Sequence, residues 1–128
     1  MRLLFMLYHI KLMIVVLILL SLFFSIEAMS EESPEVAKGR ELYQSKGCVA
    51  CHTIGGGKLS GPDLKGVTER REEEWLKKWL KSPDTMVFTD PIAKEMLAEH
   101  MVPMPNQGLT DEEVVEIITY LKFEDSKK

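Results

Sequence analysis

Cys48-Val49-Ala50-Cys51-His52 is the stretch of this sequence that constrains the fold most strongly. Two cysteines three positions apart, followed at once by a histidine, form the C-x-x-C-H pattern of covalent haem attachment. Two thiols on one turn of chain reach both vinyl groups along one edge of a porphyrin, and the next residue then lies beneath the iron. The pattern predicts one covalently bound haem c, with His52 as the proximal ligand to its iron.

Three other interpretations of the two cysteines compete with haem attachment. A disulfide is common in exported proteins, but it leaves His52 without a role. A thioredoxin-like redox pair stands in a βαβ context, and no strand pattern precedes Cys48. A structural zinc site needs four ligands, and only His100 remains as a partner in the rest of the domain. The residues around the motif favour haem.

Residues 1–28 have the composition of an export signal. Arg2 and Lys11 supply positive charge, residues 12–24 are almost wholly apolar, and Ala28 is a small residue at a cleavage position. The apolar run is shorter than the roughly 20 residues that cross a bilayer. We expect cleavage of a signal peptide, with an uncleaved membrane anchor as the alternative. Either outcome places the protein in the periplasm or elsewhere outside the cytoplasm.

The remainder predicts a single all-α domain, because 128 residues allow one domain and no segment alternates as a strand does. Residues 29–33 are expected to form a flexible linker, residues 34–123 the domain, and residues 124–128 a polar tail. Apolar residues at helical spacing, together with capping residues, predict the domain helices. These helices run near 34–45, 72–81, 90–100 and 110–122.

The second axial ligand is expected to be a methionine. A thioether opposite a histidine raises the reduction potential of haem iron. Four methionines follow the motif: Met86, Met96, Met101 and Met104. Met104 is the prediction, because prolines on both sides hold its sulfur on an extended segment. Met96 falls on an apolar helix face and is expected to pack in the core, while Met86 is expected in an unsupported loop. Met101 and His100 stay as alternatives.

These features together resemble the class I monohaem cytochromes c of bacteria over about residues 34–123. The resemblance is carried by C-V-A-C-H at 48–52, G-P-D-L at 61–64 and M-P-N-Q-G-L-T-D-E-E at 104–113. It implies a cytochrome c fold of about four to five helices wrapped around one haem, with the N- and C-terminal helices crossing. Gly39 would be the small residue that lets those two helices approach.

The resemblance also implies roles for residues around the haem. Pro62 would accept a hydrogen bond from the His52 ring through its backbone carbonyl and so fix the orientation of that ring. Trp75 or Trp79 would lie beside the haem, with an indole N–H directed at a propionate. Simple core packing is the alternative for both tryptophans. Together with Cys48, Cys51 and Met104, these residues form the predicted site.

The function implied by the resemblance is one-electron transport between respiratory redox proteins, by a monomer that is not an enzyme. One alternative is a haem-binding subunit or anchored domain of a larger periplasmic oxidoreductase. Another is an open-site haem enzyme or gas sensor, with His100 as its distal group. The segment 75–109 is also similar to monohaem cytochromes of bacterial anaerobic respiration, including some associated with nitrous-oxide reduction.

The charge distribution bears on the partners. The chain carries 16 basic and 20 acidic residues, a net charge of −4, and has no basic stripe of the kind that binds nucleic acid. Membrane association is expected only if the leader is retained. Several lysines are expected near the haem edge, either as a docking patch for redox proteins or as ordinary solubilising residues: Lys58, Lys65, Lys77, Lys78 and Lys81.

Overall fold

The computed structural model describes residues 2–24 and 32–127, which belong to two compact units. The first unit, Met1–Glu31, contains one helix, α1 (Arg2–Phe24), most of whose described side chains are large, apolar and exposed. The predicted cleavage position at Ala28 and most of the predicted linker lie outside the described residues. Within the described ranges, no helix combines the length and hydropathy of a membrane-spanning segment.

The second unit, Glu32–Lys128, is helical and has no strand in its described part, 32–127. The all-α prediction is therefore confirmed. Its elements in chain order are α2 (Pro34–Ser45), a 3-10 turn (Cys48–Ala50), α3 (Val67–Arg70), α4 (Glu73–Lys81), α5 (Pro83–Thr89), α6 (Pro91–His100) and α7 (Asp111–Ser126).

Side-chain caps begin three of the four predicted helices. Ser33 caps α2 and Asp90 caps α6, each through a side-chain oxygen that accepts a backbone N–H of the first turn. Thr110 and Glu113 form the predicted capping box of α7. The Thr110 hydroxyl accepts the Glu113 N–H at 3.2 Å, and the Glu113 carboxylate accepts the Thr110 N–H at 2.9 Å. Local sequence therefore determines where these helices start.

Two short helices were not predicted. α3 is a single turn that follows Gly66, whose φ of +73° is left-handed, and a helix this short shows no apolar periodicity. α5 begins at Pro83, which ends α4 and also occupies the first position of the next helix, where its fixed φ is favourable. Met86 lies on α5, so the expectation of a loop at Met86 was wrong.

The last helix continues past Lys122 to Ser126. Asp125 lies in this added turn and accepts the backbone N–H groups of Gly66 at 2.5 Å and Thr68 at 2.9 Å. The carboxylate thereby joins the end of α7 to the start of α3. Most of the segment predicted as a polar tail is consequently part of the packed domain.

Helices α2 and α7 cross at close range, and Gly39 is the point of contact. A Cβ placed on Gly39 would lie 2.0 Å from the Glu116 carbonyl oxygen and 2.8 Å from the Tyr120 Cβ. Only glycine permits this approach. Beside it, the rings of Tyr43 and Tyr120 pack with centroids 5.6 Å apart. The predicted crossing of the first and last domain helices is confirmed.

One hydrophobic core joins α2, α4 and α7. Its buried side chains are Val36, Tyr43, Leu76, Leu80, Leu109, Val114, Ile117, Ile118, Tyr120 and Leu121. Cys48, Trp75 and Met104 are partly buried and pack against this cluster. The core therefore supports residues from three separate parts of the predicted site.

Candidate functional site

The Cys48–His52 motif follows α2 after a chain reversal at Gly47. Gly47 has a left-handed φ of +79°, the usual conformation just past a helix end. The His52 N–H donates to the Cys48 carbonyl at 2.9 Å. Both cysteines are free and half-buried, and burial raises the pKa of the Cys48 thiol. No group of three or more His, Cys, Asp or Glu side chains within 2–24 and 32–127 is arranged to hold a metal ion.

The His52 imidazole is held on two sides. Its Nδ1 lies 2.9 Å from the Pro62 carbonyl oxygen, which is the hydrogen bond that the resemblance implied. Gly61 packs directly on the ring, where a Cβ would lie 2.4 Å from His52 Cε1. Burial lowers the pKa of His52, although the bond to Pro62 opposes this. The ring is therefore favoured as a neutral imidazole, with Nδ1 occupied and Nε2 left as the nitrogen that can bind a metal.

Asp63 organises the glycine-rich loop that carries Pro62. One carboxylate oxygen accepts the N–H groups of Gly55 and Lys65, both at 2.8 Å, and the other accepts the Gly57 N–H at 2.5 Å and the Thr53 hydroxyl at 3.0 Å. These bonds hold the pKa of Asp63 well below its usual range. No role was predicted for this aspartate, although it belongs to the motif G-P-D-L. An aspartate just after several glycines was the available signal.

The predicted site residues meet around one largely apolar cavity of about 570 Å³. Its lining includes Cys48, Cys51, His52, Pro62, Trp75, Trp79 and Met104. This volume is within the usual range for cofactor and ligand sites, roughly 300–1,000 Å³. Two thiols, an oriented imidazole and a thioether around an apolar space match the donor set of a covalently bound haem. The residues present therefore fit this group.

Trp75 and Trp79 stack on each other at the cavity, with ring centroids 5.6 Å apart and planes 14° from parallel. The Nε1 atom of Trp75 is buried and has no hydrogen-bond acceptor within 3.5 Å. The pKa of Asp90 is lowered mainly by the hydrogen bond that its carboxylate accepts from the Ala93 N–H at 2.9 Å. The nearby Trp75 indole also helps to lower the pKa of Asp90. The guanidinium of Arg71 lies 5.6 Å from the Trp75 ring centre. A buried donor beside a cation is a suitable environment for a carboxylate group of a cofactor.

The four candidate methionines occupy different environments. Met104 and Met96 both line the cavity, and Met104 also packs against the hydrophobic core. Met101 is 83% exposed and has a left-handed φ of +61°. Met86 lies on α5 and lines a separate open groove. The structure thus brings Met104 to the cavity that holds His52, together with Met96, which was expected to pack in the core, and leaves Met101 and Met86 outside it.

His100 is a cavity residue that was predicted only as an alternative ligand. Its side chain is 6% exposed and lines the same cavity as His52 and Met104. The Nδ1 atom is buried without a hydrogen-bond partner. The Nε2 atom lies 3.8 Å from a Glu99 carboxylate oxygen, too far for a hydrogen bond. Its place at the end of α6, shortly before Met104, was the signal in the sequence.

The lysines expected near the cavity mostly have partners already. The Lys65 ammonium donates to the carbonyls of Glu124 and Lys127 at the end of α7. Lys58 pairs with Glu99 at 3.5 Å, across the cavity rim. Lys77 and Lys81 also form ion pairs with carboxylates. These two lysines and Lys78 line a separate open groove and not the cavity that holds His52. These contacts favour ordinary structural and solubilising roles over a free basic patch.

Comparison with known proteins identifies the family. The family model described as Cytochrome c matches residues 36–123. A cytochrome c from Rhodothermus marinus superimposes with a TM-score of 0.71 at 23% identity, over 80% of this chain and 88% of that one. The cytochrome c domain of a Pseudomonas putida protein is 38% identical with a TM-score of 0.61, over 70% of this chain and 89% of that one.

A curated relative is larger than the region it shares with this chain. The C subunit of nitric oxide reductase from Stutzerimonas stutzeri is 27% identical over 100 residues, which are 73% of this chain and 61% of that protein. Together with the matching family model, the attachment motif Cys48-Val49-Ala50-Cys51-His52 makes the cavity a haem c site. The chain is a haem-binding electron-transfer protein and belongs to the cytochrome c family.

Proposed function

We propose that this chain is an exported monohaem cytochrome c that carries single electrons between respiratory redox proteins, with its iron held by His52 and Met104. The observation that carries the proposal is that Met104 lines the same cavity as His52 and both motif thiols. Haem c, when bound, supplies an iron that takes up one electron from a donor and gives it to an acceptor. The chain itself is a carrier and not a catalyst.

The side chains around the cavity suit this role. Cys48 and Cys51 would attach the haem, and His52 would be held in one tautomer by Pro62. Met104 would occupy the second axial position and exclude water and small gaseous ligands. A thioether in that position raises the reduction potential. With ligands on both faces in each redox state, little of the protein has to move during electron transfer.

Export supports the same role. Residues 1–28 have the order of a secretory leader, with basic, apolar and small-residue regions, and we place the domain in the periplasm or an equivalent compartment. A retained leader would anchor the domain to the membrane. N-terminal sequencing of the native protein distinguishes these forms, since a cleaved protein begins after Ala28.

Membership of a larger oxidoreductase complex is the second candidate function, favoured by the similarity to one chain of a nitric oxide reductase. The two functions differ in assembly. A mobile carrier is purified alone and as a monomer, whereas a component of a complex is purified with a catalytic partner. Size-exclusion chromatography of the native protein under mild conditions separates these outcomes, and co-elution with a catalytic chain would favour the complex.

The experiment that tests the proposal is carbon monoxide binding to the reduced holoprotein, together with a redox titration. A closed iron gives a reversible one-electron titration and binds carbon monoxide slowly or not at all. Rapid binding at neutral pH would contradict the carrier and favour an open-site enzyme or gas sensor. Mass spectrometry of the same sample should show one haem per chain.

A further inference from the structure

Among the described residues that line the cavity, two have a buried ring nitrogen without a hydrogen-bond partner. These residues are Trp75 and His100. A buried polar nitrogen without a hydrogen-bond partner lowers the stability of the folded protein by about 1–3 kcal/mol. The carboxylate of Glu99, another residue of the cavity lining, is 3.8 Å from Nε2 of His100 and pairs with Lys58. Neither of them is a hydrogen-bond partner of Nδ1, so this nitrogen is buried without one.

His100 shares the cavity with both of the residues proposed as ligands of the iron, His52 and Met104. Both rings and the Met104 side chain line one cavity, whose attachment motif specifies a haem. A second imidazole is thus placed in the space that receives the iron, in addition to the thioether.

The segment that joins His100 to Met104 is irregular and largely exposed. α6 ends at His100, and Met101 takes a left-handed φ of +61° that is strained for a residue other than glycine. Met101 is 83% exposed and Val102 is 52% exposed. Pro103 and Pro105 have no N–H to donate. His100 and Met104 therefore lie at the two ends of an irregular segment, and the side chains of both line the cavity.

We propose that His100 is a reserve axial ligand, which binds the haem iron through its imidazole whenever the Met104 sulfur is not bound. This rests on the proposed function, because it takes Met104 as the ordinary ligand. Both donors are neutral, so the exchange changes no charge at the iron. Imidazole is the stronger donor to ferric iron, so the exchanged form has a lower reduction potential. The iron stays six-coordinate and closed in both forms.

The test compares holoprotein variants by near-infrared magnetic circular dichroism and electron paramagnetic resonance of the ferric state. Met104→Ala should give a low-spin iron with two imidazole ligands. Met104→Ala/Met101→Ala, the matched control for the neighbouring sulfur, should give the same spectra. Met104→Ala/His100→Ala should instead give an open, largely high-spin iron, and its reduced form should bind carbon monoxide at least about tenfold faster than that of Met104→Ala.

Titration with free imidazole provides a second measurement on folded protein. Met104→Ala should need at least about tenfold more imidazole than Met104→Ala/His100→Ala, because a tethered ligand competes at high effective concentration. A high-spin Met104→Ala protein, or equal imidazole affinities in the two variants, would overturn the reserve-ligand proposal and leave the carrier intact. A wild-type protein without thioether ligation would instead overturn the proposed function.

Discussion

Replacing Gly39 with alanine tests the helix crossing that supports the haem site. The added Cβ would lie 2.0 Å from the Glu116 carbonyl oxygen, so α2 and α7 must separate by about 1.5 Å to reach ordinary contact near 3.5 Å. Overpacking of this kind costs up to about 3 kcal/mol, and the better helix propensity of alanine returns about 1 kcal/mol. We expect a net loss of about 2 kcal/mol, or roughly 30-fold in the unfolding equilibrium.

Urea unfolding of the ferric holoprotein, followed by the Soret band and by far-ultraviolet circular dichroism, measures this loss. The midpoint of thermal unfolding should fall by roughly 8–16 °C, from the usual 4–8 °C per kcal/mol for a domain of this size. Gly56→Ala is the matched control, because a Cβ there meets only the Thr53 side chain, at 3.2 Å. Equal stability of the two variants, or a more stable Gly39→Ala protein, would refute the crossing.

Two further substitutions test the loop and the haem edge. Asp63 has a lowered pKa in the folded state, so its stabilisation is present above its unfolded pKa of about 3.9 and is lost as the pH falls through the folded value. Asp63→Asn should therefore be less stable at neutral pH and lose less stability in acid than wild type. An unchanged curve for Asp63→Asn would contradict this role. Trp75→Phe removes the buried N–H of the indole. The ionised haem propionate should then be less stabilised, so the pH dependence of the reduction potential should shift to higher pH. Equal shifts for Trp75→Phe and Trp79→Phe would exclude a specific hydrogen bond from Trp75 to the propionate.

Local signals in the sequence predicted much of the fold. Helix starts depend on a few adjacent atoms, so the capping box of Thr110 and Glu113 could be predicted from four consecutive residues. Met86 was placed wrongly because Pro83 is both a helix terminator and a favourable first residue of the next helix. The sequence pattern does not distinguish these two roles when the helices are adjacent.

The long-range parts of the site could not be predicted, because they depend on side chains distant in the chain. Asp125 holds α3 to the end of α7 through Gly66 and Thr68, and no local pattern connects these segments. The burial of His100 likewise depends on the packing of α6 across the cavity. In contrast, the bond from His52 to Pro62 was implied by motif resemblance, which carries long-range information that propensities lack.

The ferric absorption spectrum and reduction potential of Met104→Ala and Met101→Ala test the central claim most directly. Met104 lines the cavity, whereas Met101 is 83% exposed. Met104→Ala should lose the far-red charge-transfer band of thioether-ligated iron and have a lower potential, and Met101→Ala should keep both properties. A larger loss in Met101→Ala, or an unchanged band in Met104→Ala, would contradict His52 and Met104 as the ligands that close the iron.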